Sequence, residues 1–182
     1  MLANNRTAMM DARRGFNYAP SFIFAFLAGA IAIAINIAIL QMADWIPLQT
    51  ARGGLLKLIT QMLGGQLNGS AQAGFWLSIG LPPPDSAAFK LGFHVLVGLL
   101  MAEFYAFVLE PILVGNAWRK GLIYALIVWL ANAFILLPLT REGIAGSRHL
   151  SLAGMAYFAV AHSVFFVLLS FIYGQLKDVA KS

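Results

Sequence analysis

From residue 21 to residue 43 the chain carries no charged side chain, and three later stretches, 88–110, 121–140 and 154–176, are almost as apolar. A helix rises about 1.5 Å per residue, so each stretch can cross a hydrocarbon core about 30 Å thick. A soluble domain of 182 residues with 60% apolar and only 10% charged side chains could not keep that surface from water. The chain is therefore read as an all-α integral membrane protein, a four-helix bundle, because in lipid the backbone polar groups must be satisfied within each segment.

The connections divide the chain further. Residues 1–19 hold Arg6, Arg13 and Arg14 and form an N-terminal segment, followed by a single transmembrane domain over 20–182 that opens on Pro20. The apolar run starts too late and runs too long for a cleaved signal peptide. Residues 44–87 form the longest loop, rich in Gly and ending in Pro82-Pro83-Pro84. Its apolar piece 55–63 is too short to span, and with Trp45 and Trp76 nearby it is predicted to be a short helical segment at the interface. Asp85 or Ser86 can cap the next helix. Pro111 is expected to end span two, and residues 115–120 to make a tight turn that leaves spans two and three as antiparallel neighbours.

Charge orients the spans. Seven basic residues (Arg6, Arg13, Arg14, Arg119, Lys120, Lys177, Lys181) fall on the side of the two termini and five (Arg52, Lys57, Lys90, Arg141, Arg148) on the other. The positive-inside rule thus favours both termini in the cytoplasm. The net charge of +5 and pI near 9.8 are read as span-end charges facing anionic lipid, with no nucleic acid as partner. With no Cys there are no disulfides and no thiolate ligands.

The few polar residues inside the spans are the candidate functional groups. Counted from the far, non-cytoplasmic ends, Asn36, His94, Asn132 and His162 all fall roughly 9 to 12 Å below that surface. Polar groups in hydrocarbon favour the bundle interior and one another, so the four are expected to converge. Each His precedes a Tyr by eleven residues, His94 with Tyr105 and His162 with Tyr173, close to a whole number of helical turns. An Asn on the rising helix and a His on the descending one, in each of two hairpins, is also the pattern of a parallel pseudo-two-fold repeat.

Three readings of this cluster follow. His94 and His162 can hydrogen-bond between helices to Asn36, Asn132 or a carbonyl. Alternatively, one imidazole from each of two helices can hold the iron of haem b or another tetrapyrrole, with Gly98 leaving room for the ring and Asn36 and Asn132 orienting the imidazoles. Phe166, at the place matching Gly98, disturbs that symmetry. A two-imidazole transition-metal site lacks a carboxylate as third ligand. Glu103, near mid-membrane on the opposite face of its helix from His94, is a candidate proton or ion relay, or a protonated side chain bonded to a neighbour. Glu110 can reach Arg119 or Lys120, while Tyr105, Tyr124 and Tyr173 anchor at the interface or pack in the core. His149 is read as a solvated loop side chain. No nucleotide-binding, zinc-protease or serine-hydrolase motif occurs, so the chain is expected to have no catalytic activity of its own.

Phe93-His94, Gly98, Tyr105, the turn from Gly115 to Gly121, Trp129, Leu137-Pro138-Leu139, His162 and Tyr173-Gly174 resemble the YagU-like family of small bacterial inner-membrane proteins and their relatives of unknown function. The resemblance covers spans two to four. It implies a bacterial inner-membrane location and brings no reaction with it. The expected function is a small accessory or structural subunit that contacts the bilayer and other membrane subunits, or associates with itself. A b-type haem protein using His94 and His162, or proton or small-solute passage through Glu103, stand beside it.

Overall fold

The computed structural model describes residues 18–43, 45–46, 55–56, 58–59, 78–84 and 86–180. Four helices long and apolar enough to cross a membrane make up most of this: α1 (Tyr18–Met42), α2 (Ala87–Ile112), α3 (Ala117–Leu139) and α4 (Leu152–Val179). No strand occurs among the described residues. The chain is thus an all-α four-helix bundle with both ends of the described chain at one face, called here the terminal face. The predicted interfacial segment in the 44–87 loop lies largely outside the described residues; within it 55–56 and 58–59 are helical.

Local chemistry sets the helix starts. Ser86 Oγ accepts from Phe89 N and donates to Pro83 O, which turns the chain out of the Pro run into α2. Asn116 Oδ1 accepts from Arg119 N at 3.0 Å, so Trp118, Arg119 and Lys120, expected in the turn, form the first turn of α3. Ser151 Oγ accepts from Gly154 N and opens α4.

As expected of proline, α2 ends one residue after Pro111 and α3 one residue after Pro138. A widened π-helical turn precedes each, Tyr105–Leu109 in α2 and Asn132–Leu136 in α3, closed by bonds five residues long from Glu110 N to Tyr105 O and from Leu137 N to Asn132 O. A proline ring crowds the carbonyl four residues back, which here falls on Phe107 and Phe134 inside the widened turns. One extra residue per turn makes space for the ring, and α2 runs on to Ile112.

Small side chains decide which faces meet. Ser21, Ala25, Ala28, Ala32 and Asn36 recur every three or four residues along α1, and all are buried. Such a stripe lets helix axes approach closely, the chief source of attraction between helices in lipid. Against α2, a Cβ on Gly29 would stand 2.6 Å from Ala102 Cβ, and one on Gly98 2.7 Å from Ile33 Cδ1. On the other side of the bundle, a Cβ on Gly121 of α3 would stand 2.8 Å from Phe166 O and Val167 Cα of α4.

The resulting order is α2, α1, α4, α3, with α1 and α4 sharing a long interface. Spans two and three are antiparallel as expected, yet they meet chiefly around Tyr124, whose hydroxyl donates to Met101 O at 3.1 Å and whose ring stacks on Tyr105. The two hairpins are therefore not equivalent in packing: α1 lies along α4, and the pair a two-fold axis would match to it, α3 with α2, touches only locally. Outward faces are apolar as well, as with Leu96, Leu100, Phe104 and Val108 on α2 and Leu122, Leu126 and Leu130 on α3. Surfaces of this kind suit lipid acyl chains.

Candidate functional site

Two polar clusters lie inside the bundle, one towards each end. The far cluster is built on Asn36, which is almost wholly buried. Its Nδ2 donates to Ala161 O of α4 at 2.8 Å, and its Oδ1 lies 3.1 Å from His94 Nε2 of α2. Because the amide nitrogen is committed to a carbonyl, the oxygen faces the imidazole, so His94 Nε2 is the donor. One carboxamide thereby joins three helices. Tyr157 Oη of α4 donates to Ile39 O of α1 in a short hydrogen bond one turn farther out.

His162 follows Ala161 and is an electrostatic neighbour of His94. Its Nδ1 donates to Phe158 O of its own helix at 2.9 Å, and its ring packs on that of Phe158. The structure thus brings Asn36, His94 and His162 into one neighbourhood. Asn132 does not join by hydrogen bond: it opens the π turn of α3, and its Nδ2 donates to Val128 O at 3.0 Å. Equal depth carries no information about which way a side chain points around its helix, and α3 turns this one back on itself.

Gly98 was expected to leave space for a porphyrin face. Ile33 fills that space, and Phe166 is packed on Tyr124 with ring centroids 4.3 Å apart. With His94 Nε2 engaged by Asn36 as well, the residues as arranged do not fit a tetrapyrrole held between the two imidazoles. Among the described residues no group of three or more His, Cys, Asp or Glu side chains could hold a metal ion.

The near cluster lies towards the terminal face. Tyr105, Tyr124, Phe166 and Tyr173 form its aromatic floor, with Tyr105 edge-on to Tyr173 at 5.8 Å. All three tyrosines are core residues, one of the two roles expected for them. Ser170 Oγ donates to Ala117 O, pinning α4 to the start of α3. At the membrane edge Glu110 accepts from Lys177 Nζ at 3.0 Å and Lys120 Nζ at 3.3 Å, and Lys120 also donates to the Glu110 carbonyl. This ion cluster clips α2, α3 and α4 together. Lys120 was among the expected partners of Glu110; Arg119 is not one, and Lys177 was missed because it lies 67 positions away in sequence.

Glu103 lies between the clusters along α2, about half a turn around the helix from His94. Both its carboxyl oxygens are buried and have no hydrogen-bond partner among the described residues. In the far loop His149 is exposed, as expected, and also contacts Glu142 Oε2 through Nδ1 at 2.6 Å. A His seven residues after a Glu across a Gly-rich turn was the available signal, and the left-handed backbone at Gly143 and Gly146 brings the two together.

No known family, curated protein or solved structure matches the chain.

Proposed function

We propose that this membrane protein is a non-catalytic accessory or structural subunit of a larger complex in a bacterial inner membrane, with both termini and the Trp118 turn in the cytoplasm. One observation carries the reading: the polar residues of the far cluster are spent on structural hydrogen bonds, between helices at Asn36 and His94 and within a helix at His162 and Asn132. Asn36 bridges His94 and the α4 backbone and so acts as an intramembrane fastener, while His162 and Asn132 are satisfied within their own helices. The excess of basic residues at the terminal face supports the orientation. The likeness of spans two to four to the YagU-like proteins belongs to the same proposal, since it points to the same membrane.

The assembly in native membranes tests it. Solubilised in mild detergent, the protein should migrate in a particle larger than any the purified chain forms alone. Identical sizes would remove the accessory role. A Soret band in the purified protein that is lost in His94→Ala or His162→Ala would replace this reading with the haem one.

A further inference from the structure

The ion cluster at the terminal face fastens three helices, yet its charges do not balance. Two ammonium groups, Lys120 and Lys177, share the single carboxylate of Glu110. All three are partly shielded from water: 14% of the Lys120 side chain is exposed, 30% of Lys177 and 17% of Glu110. A charge in such a place is costly unless it is matched, and one positive charge is left over. The backbone does not supply the missing half. At this face α1 and α3 begin while α2 and α4 end, so the positive and negative ends of their dipoles offset one another. Of the other charged side chains described there, Arg119 and Asp178 are both exposed and opposite in sign. Hydrogen bonding is incomplete in the same way. An ammonium carries three N–H donors; Lys120 directs two at the carbonyl and one carboxylate oxygen of Glu110, and Lys177 one at the other oxygen. Half of the donors on the two lysines are therefore unspent among the described residues.

The depth of the cluster and its surroundings point to what completes it. Glu110 is two residues from the end of α2 at Ile112, Lys120 three from the start of α3 at Ala117, and Lys177 two from the end of α4 at Val179. Each lies within about 5 Å of a span end by helical rise, where lipid head groups meet the protein. From there an apolar seam leads into the membrane. Lys120, Tyr124 and Ile127 follow one another by four and three residues and share a face of α3. That face is turned to α2, since Lys120 bonds to Glu110 and Tyr124 to the Met101 carbonyl. Phe104 of α2 stands against the Tyr124 ring with centroids 6.3 Å apart. Phe104 and Ile127 are both exposed, because α2 and α3 touch only around Tyr124. An occupant that suits both parts carries an anionic oxygen group at one end and an apolar tail at the other. Soluble phosphate would match the lysines and leave the seam bare.

We propose that the Glu110, Lys120 and Lys177 cluster is a binding site for one anionic phospholipid of the leaflet at the terminal face. The phosphodiester accepts the unspent lysine N–H groups and neutralises the excess charge, while Glu110 holds the two ammonium groups in place. An acyl chain lies along the α2–α3 seam over Phe104 and Ile127. A zwitterionic lipid is a poor occupant, because its own cation would meet the lysines. This goes beyond the accessory reading and does not depend on it.

Native mass spectrometry of the purified full-length chain, released from mild detergent after mixing with phosphatidylglycerol or phosphatidylcholine, tests the proposal. The wild type should retain one phosphatidylglycerol in preference to phosphatidylcholine, and Lys120→Gln or Lys177→Gln should each weaken that binding about fivefold. Glu110→Gln separates a lipid site from a mere clip. It should bind phosphatidylglycerol at least as tightly as the wild type, because the excess charge grows, although the helices lose the same fastening as in the lysine variants. Lys90→Gln, at an exposed position near the far end of α2, should leave binding unchanged. No preference between the two lipids in the wild type, a loss in Glu110→Gln equal to that in the lysine variants, or an equal loss in Lys90→Gln would overturn the site. Displacement of the lipid by an equal concentration of inorganic phosphate would overturn the lipid as its occupant.

Discussion

Asn36 holds its place in the bundle by using both ends of one carboxamide, and that makes it the most telling residue to remove. Asn36→Ala leaves His94 Nε2 and the Ala161 carbonyl without partners and should cost about 1–3 kcal/mol of stability, read by denaturant or thermal unfolding in detergent. His94→Ala should cost less, because Asn36 keeps its bond to α4. In the double variant the coupling should come to roughly 0.6–1.7 kcal/mol, the range of interhelical hydrogen bonds in membranes. His162→Ala should change stability least of the three, since its ring nitrogen bonds within α4. Equal losses for Asn36→Ala and His162→Ala would contradict the bridging geometry. Depth along the helix axis was enough to pick out Asn36 and His94 from the sequence. Azimuth was not legible: helices in lipid are apolar on both faces, so the periodicity that marks a buried face in a soluble helix is faint here. For that reason Asn132 stood level with the others and yet turns away.

At the scale of the helices, small residues carry the signal that hydrophobicity does not. The spacing of Ser21, Ala25, Ala28, Ala32 and Asn36 identifies the face of α1 that meets its neighbours, and Gly121 marks a close approach of α3 and α4. Gly121→Val would drive a side chain into the Phe166 carbonyl and the α4 backbone, where nothing can yield, so the loss should exceed the 1–3 kcal/mol typical of overpacking. Gly92 of α2 offers the matched control. It has open space around it, and Gly92→Ala should gain about 0.5–1 kcal/mol from reduced backbone freedom. Unfolding of the two variants side by side checks the contrast; a well-folded Gly121→Val protein would mean that α3 and α4 do not cross there. The π turns were hidden from a sequence reading because proline signals interruption without saying what form it takes. Pro111 reads as a stop, and α2 does end one residue after it at Ile112, but with one residue inserted into the preceding turn.

For the whole molecule, four antiparallel crossings put the Trp118 turn on the terminal face and the 140–151 loop on the opposite one. The chain has no Cys, so single-cysteine variants report without background. Trp118→Cys and Ser147→Cys, both at exposed positions, should react with a membrane-impermeant maleimide from opposite sides of a sealed vesicle; labelling of both from one side would rule out the four-span path. The span count and the shared side of the termini were legible from apolar run length alone, because lipid thickness is a fixed ruler. The neighbour order was not, since short turns make sequential helices antiparallel without saying how far they stay in touch. That order has a mechanical meaning. α4 is fastened on two sides, to α1 and to α3, whereas α2 is fastened along α1, at Tyr124 and at the Glu110 clip. Pulled from its ends or loosened by harsh detergent, the molecule should shed α2 first, peeling like a hinged outer panel, while the remaining three helices stay clasped around their common post.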